Sequence, residues 1–141
     1  MENTGHHKQL GAAHLRCARP TDRMEEVVEF YCQALGFQEL GRFQNHDGFD
    51  GVMLGCADAG YHLEFTTQRG HVSGLTPSPD QLLVFYLPDN ADRQMAMEKI
   101  ESTGASAVES LNPYWDICGR TYEDPDGYRS VIRNASLTPD L

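Results

Sequence analysis

The chain has 141 residues, 40% of them hydrophobic and 23% charged, and a formal net charge of −10. That length supports one domain with its own core. The acidic balance argues against nucleic acid or an anionic membrane as partner, since both need clustered Lys and Arg.

No apolar run approaches the roughly 20 residues of a membrane span, and no signal-peptide pattern opens the chain, so a cytoplasmic protein is expected. Cys17, Cys32, Cys56 and Cys118 form no C-x-x-C pair. Reduced thiols are expected rather than a zinc knuckle or a disulfide framework. Residues 1–11 read as a flexible polar tail, His6 and His7 included.

Residues 12–18 make a first strand that Arg19-Pro20 should end, because proline cannot continue a ladder. Thr21 or Asp22 then caps a helix, with Asp22 and Glu25 spaced as a capping box. Met24, Val27, Val28, Tyr31, Ala34 and Leu35 recur at three- and four-residue steps, and Gly36 closes the helix. Residues 37–43 and 51–55 read as strands around a turn at 44–48. In 61–67 apolar Tyr61, Leu63 and Phe65 alternate with His62, Glu64 and Thr66. Side chains of a strand alternate between faces, so one face is greasy and the other carries chemistry.

After a Gly- and Pro-bearing linker at 71–79 the order restarts. Residues 82–87 are a strand, 91–102 a helix with Met95 and Ile100 inward, and 105–111 and 115–123 strands. Asp124-Pro125-Asp126-Gly127 is a turn, and 128–133 is the last strand. Gly36 and Gly104, Asp22 and Asn90, and Pro20 and Pro88 are each 68 positions apart. Three punctuation marks at one offset point to a duplicated β-α-β-β-β unit.

Such a repeat, with His14-Leu15-Arg16, Glu29-Phe30-Tyr31, Ala34-Leu35-Gly36-Phe37, Leu63-Glu64-Phe65 and Glu123-Asp124-Pro125-Asp126-Gly127-Tyr128, resembles the vicinal oxygen chelate superfamily. That superfamily holds glyoxalase I, fosfomycin- and bleomycin-resistance proteins, extradiol dioxygenases and epimerases. Ala18–Thr21, Asp50–Gly55 and Asn112–Trp115 look like an uncharacterised bacterial subgroup of it. The resemblance implies an α+β fold of two βαβββ modules forming cupped mixed sheets, the glyoxalase/bleomycin-resistance fold. It implies one domain over 12–134, with modules at 12–70 and 80–134 and a C-terminal tail at 135–141. A small-molecule ligand and a homodimer are further implications.

Metal-using members place one ligand on the first and one on the last strand of each module. Here His14 and Glu64 match in the first module. The equivalents in the second are Leu82 and Val131, which cannot bind a metal. The metal candidates are thus His14 and Glu64 with His62 as third, for Ni, Zn, Mn or Fe, and no cofactor is certain.

Parity places Arg16, His62 and Glu64 on one wall of the cup, and Tyr86, Arg129 and Arg133 with apolar neighbours on the other. Two arrangements compete. Two histidines and a carboxylate form a facial triad around a metal. Otherwise Glu64 pairs with Arg16 or a far-wall arginine, which needs no metal supply and is favoured because an unpaired carboxylate in a cup is costly. Arg16, His62, Arg129 and Arg133 are candidate ligand contacts, and Tyr86 and Trp115 are candidate stacking platforms. Glu64 is the candidate catalytic base, should the apolar wall raise its pKa. The expected function is binding of a small organic molecule, by sequestration or by an enzyme with a degenerate metal site. The alternative is a metal-dependent lyase, isomerase or dioxygenase.

Overall fold

The computed structural model describes residues 7–135, and the remainder of both expected tails lies outside them. The first half runs β1 (Leu15–Pro20), α1 (Met24–Glu29), β2 (Gln38–His46), β3 (Phe49–Gly55) and β4 (Tyr61–Gln68). Its sheet has the order β1-β4-β3-β2, with β1 parallel to β4 and the other pairs antiparallel. The second half runs β5 (Leu82–Tyr86), α2 (Asn90–Ser102), β6 (Ala107–Val108), α3 (Tyr114–Ile117), β7 (Gly119–Glu123) and β8 (Arg129–Arg133). The order β5-β8-β7-β6 repeats the same mixed topology. Two helix-backed mixed sheets make the α+β fold expected from the sequence.

Several local expectations are corrected. β1 spans Leu15–Pro20 rather than 12–18; it does end at Pro20, which an edge strand tolerates as its last residue. The first helix is α-helical only to Glu29 and continues as a π-turn through Phe30–Ala34. The Leu35 amide donates to the Phe30 carbonyl at 3.2 Å, and Phe37 to Tyr31 at 2.9 Å, around Gly36 at φ 79°. The capping box does not form. Thr21 Oγ1 accepts from the Arg23 amide, while Asp22 accepts from the Ser73 amide and hydroxyl across the linker.

In the second half Asp89 caps α2 through the Asp92 amide, and Gly104 follows its end at φ 96°. Ile100 is buried, but Met95 is 69% exposed rather than inward. The strand expected over 105–111 shrinks to two residues, and Trp115 sits on a helical turn rather than a strand. Asn112-Pro113 explains the latter: the Asn112 side chain accepts from the Tyr114 amide, and proline is pre-shaped for a helix start.

The core lies on the helix side of both sheets. Val27 and Tyr31 pack on Val52, Leu54, Leu63 and Phe65, while Ala34 joins Ile100, Tyr122 and Ile132 of the second half. A polar stitch crosses this seam. Tyr31, fully buried, donates its hydroxyl to Asp124 Oδ2 at 2.7 Å. Asp124 Oδ1 accepts from the amides of Asp126 and Tyr128, which builds the turn before β8. Arg19 lies 4.0 Å from Asp124 and stacks over the Tyr128 ring.

Burial pushes the Asp124 pKa upward, opposed by the bonds from Tyr31 and the two amides. A carboxyl whose folded pKa is raised contributes stability fully present below its unfolded value, about 3.9, and lost as pH rises through the folded value. Tyr31→Phe removes the leading opposing bond and leaves the carboxylate short of a donor. The variant is expected to lose about 1–3 kcal/mol of unfolding free energy in urea titrations. The deficit should be larger at pH 8 than at pH 4.

Candidate functional site

Strand parity sends Tyr61, Leu63 and Phe65 to the core and leaves His62, Glu64 and Thr66 on the opposite, cupped face. Parallel pairing sets Arg16 beside His62 and Ala18 beside Glu64. Two features of β3 keep that face low. Gly55 lies opposite His62, and a Cβ there would come within 2.9 Å of the His62 Cβ. Gly51 lies under the Phe43 ring, which a Cβ would strike.

The polar groups of this face form one chain. Arg16 Nη1 donates to Glu64 Oε2 at 3.2 Å, and Arg16 Nε donates to His62 Nε2 at 2.8 Å. His62 Nδ1 meets His14 Nε2 at 2.6 Å. A guanidinium can only donate, so His62 Nε2 carries no hydrogen. The neutral ring therefore holds its hydrogen on Nδ1 and gives it to His14. Glu64 is only 12% exposed at its side chain, whereas Arg16 is 48% exposed. The pair contributes at most about 1 kcal/mol to stability, because water reaches one partner. Its effect is on position: two bonds hold the guanidinium in place and leave three of its five N–H groups without a partner among the described residues.

A divalent ion at His14, His62 and Glu64 would need their lone pairs to converge on an open point. Arg16 takes the acceptor nitrogen of His62 and one carboxylate oxygen of Glu64, and the other His62 nitrogen carries a hydrogen. Among the described residues no group of three or more His, Cys, Asp or Glu is arranged to hold a metal. The donor set as placed does not fit an ion.

The far-wall candidates form a separate group. Arg133 Nη2 donates to the Tyr114 hydroxyl at 2.6 Å and lies 5.4 Å from that ring and 6.0 Å from the Tyr86 ring. Trp115 packs edge-on against Tyr114 at 5.0 Å. Arg129 is committed elsewhere, to the Glu123 carboxylate at 3.0 Å and the Glu109 carbonyl. Tyr114 escaped the sequence reading. It figured there only within the Asn112–Trp115 stretch, not as a site residue; the Asn112-Pro113 helix start brings its hydroxyl to Arg133.

The second-module equivalence also changes. Arg16 sits beside His62 as Leu82 sits beside Arg129, so Leu82 is the counterpart of Arg16 rather than of His14. His14 precedes β1. Glu64 and Val131 remain counterparts, paired with Ala18 and Val84.

The YycE-like N-terminal domain family matches residues 15–66, and the YycE-like C-terminal domain family matches residues 80–134. The uncharacterized protein YycE of Bacillus subtilis (strain 168) is 45% identical over 124 residues, which is 88% of this chain and 89% of that protein. A crystal structure of a Bacillus subtilis YycE protein of unknown function superposes with a TM-score of 0.84 at 43% identity, over 92% of this chain and 95% of that one. The trypanothione-dependent glyoxalase I of Leishmania major gives a TM-score of 0.66 at 17% identity, over 86% of this chain and 85% of that one. The fosfomycin resistance protein FosX of Mesorhizobium loti gives 0.64 at 10% identity, covering 86% and 90%. The last two likenesses show the glyoxalase/fosfomycin-resistance fold alone.

Burial first, then the charge of Arg16, holds the His62 pKa below its ordinary value. A histidine whose folded pKa is depressed contributes stability present above its unfolded value, about 6.5, and lost as pH falls through the folded one. Imidazole 15N spectra across pH 4–8 should show His62 titrating below about 6.5. In Arg16→Gln its midpoint should move up toward that value. A His62 midpoint unmoved by Arg16→Gln would break the chain of bonds described above.

Proposed function

The chain belongs to the YycE-like family, and from that premise we propose that it binds a small organic anion in the cup of its first sheet, with Arg16 as the anchoring cation. The observation that carries this reading is the Arg16 guanidinium held between Glu64 and His62. Metal-using members of the fold place their ion on the first and last strands of a module, which here is where Arg16 sits. A guanidinium with free donors suits a carboxylate or similar planar anion. Glu64 then acts as a positioning residue. It orients Arg16 and offsets its charge, so that ligand rather than solvent completes the guanidinium's bonding. Phe43 and Met53, on the same face, supply an apolar flank.

A second copy of the chain covers the open cup in this reading. Leu111, Tyr114 and Ile117 leave apolar surface beside Arg133, with Ile117 82% exposed. A partner face carrying Tyr86, Tyr114, Trp115 and Arg133 adds aromatic surface and one more cation to an anion site. Sedimentation at micromolar concentration is expected to give a dimer, and Ile117→Asp a monomer.

The test of the ligand reading is thermal unfolding in the presence of a chelator with oxalate, malonate or pyruvate as probe. At least one should raise the wild-type midpoint by mass action, and Arg16→Gln should remove the rise. A shift that instead requires nickel, zinc, manganese or iron, and survives Arg16→Gln, would overturn the reading in favour of a metal-dependent lyase, isomerase or dioxygenase at His14, His62 and Glu64.

A further inference from the structure

A second hollow lies on the seam between the halves, on the helix side of both sheets and so across the first sheet from Arg16. Its volume is about 560 Å³, within the roughly 300–1,000 Å³ that ligand pockets span. Its walls are mainly apolar: Leu35 and Phe37 after the first helix, Phe85, Leu87 and Ile132 from the second sheet. Phe37 stands edge-on to both Tyr61 and Phe85, at 6.3 and 5.9 Å, and so forms a rigid aromatic corner. Met95, which the sequence pattern places in the core, instead lies at this site and is 69% exposed. That leaves apolar surface uncovered where burial is expected.

The polar groups are few and come from one face of α2. Lys99 enters none of the ion pairs among the described residues. Its Nζ comes within 3.8 Å of where a Gly36 Cβ would stand, over the end of the first helix. Asp92 lies two turns away at the start of α2, where the helix N-terminus already compensates its charge. In a chain of net charge −10 an anion gathers only where a cation holds it, and Lys99 is the cation at this hollow.

We propose that the seam cavity binds an amphipathic carboxylic acid, its apolar body against Phe37, Phe85 and Ile132 and its carboxylate on Lys99. The ligand touches both halves and so strengthens their docking. Of the residues that shape the cup this site shares only Gly55, which has no side chain, and none of the polar groups there, so the proposal stands apart from the reading of Arg16.

The test uses the full chain with decanoate, and decanol as the uncharged control, by calorimetric titration and thermal midpoint. Decanoate is expected to bind and raise the midpoint. Lys99→Gln should weaken decanoate about fivefold, the worth of one partly exposed charge pair, and leave decanol unchanged. Ala96→Trp, which fills the hollow from the partly exposed face of α2, should abolish both. Arg16→Gln should affect neither. Bound decanoate should also slow labelling of the exposed Cys56 thiol at the cavity edge. The proposal is overturned if decanoate fails to bind, if Lys99→Gln leaves its affinity unchanged, or if Arg16→Gln removes it and so moves the acid to the cup. Affinity that falls as protein concentration rises would also overturn it, by assigning the hollow to a second copy of the chain.

Discussion

The hydrogen bond from Tyr31 to Asp124 decides how the two halves face. Both groups are buried, so neither can be left to water, and each is the other's partner across the seam. Because Tyr31 projects from the helix side of the first sheet, and Asp124 from the turn feeding the last strand, the halves are joined through their helix faces. Everything on the opposite faces, including Arg16, Glu64 and Arg133, then looks outward. The seam cavity follows from the same constraint. Two helix-backed sheets docked at one polar stitch and one aromatic corner leave unfilled space where α2 meets the end of the first helix.

Within the cup a second constraint operates. Glu64 is mostly withdrawn from water, and a carboxylate so placed takes the nearest cation. Parallel pairing sets the first strand beside the fourth, so Arg16 arrives as that cation with no help from the second half. Once there it determines the tautomer of His62, and through it the role of His14 as acceptor. A single arginine thereby converts three metal-ligand residue types into a rigid cationic mount. Lysine would not substitute for it, since one ammonium on a flexible stem lacks the planar fork that reaches Glu64 and His62 together.

Much of this was legible in the sequence where local chemistry dominates. Gly36 and Gly104 both end helices at positive φ, because only glycine adopts that backbone cheaply. Strict alternation over 61–67 placed Glu64 on the cup face, and the favoured pairing with Arg16 is the one that forms. The failures belong to longer range. The first helix carries an unbroken apolar stripe, yet it widens to a π-turn, which no periodicity announces. Met95 keeps core spacing but faces an unfilled hollow, since spacing says which face a residue is on and not whether that face is covered. Arg129 shared parity with Arg133, but parity is blind to Glu123 and to the Glu109 carbonyl, which bind it first. Trp115 sat in a β-prone run that the preceding Asn-Pro overrides.

The register comparison gives the duplication its meaning. Glu64 beside Ala18 and Val131 beside Val84 occupy the same place in the two sheets, and so do Arg16 beside His62 and Leu82 beside Arg129. The frame is therefore common and the chemistry is not. In the second half Val131 and Thr121 are fully buried and Ser110 bonds Thr121, so that this face is packed at its centre, with the Arg129–Glu123 pair and Arg133 to either side. In the first half the corresponding centre carries Glu64 opposite Met53, with Gly51 and Gly55 flanking Met53 on the same face of β3. The two centres therefore differ in kind: a carboxylate held by an arginine in the first half, and a valine beside a threonine in the second.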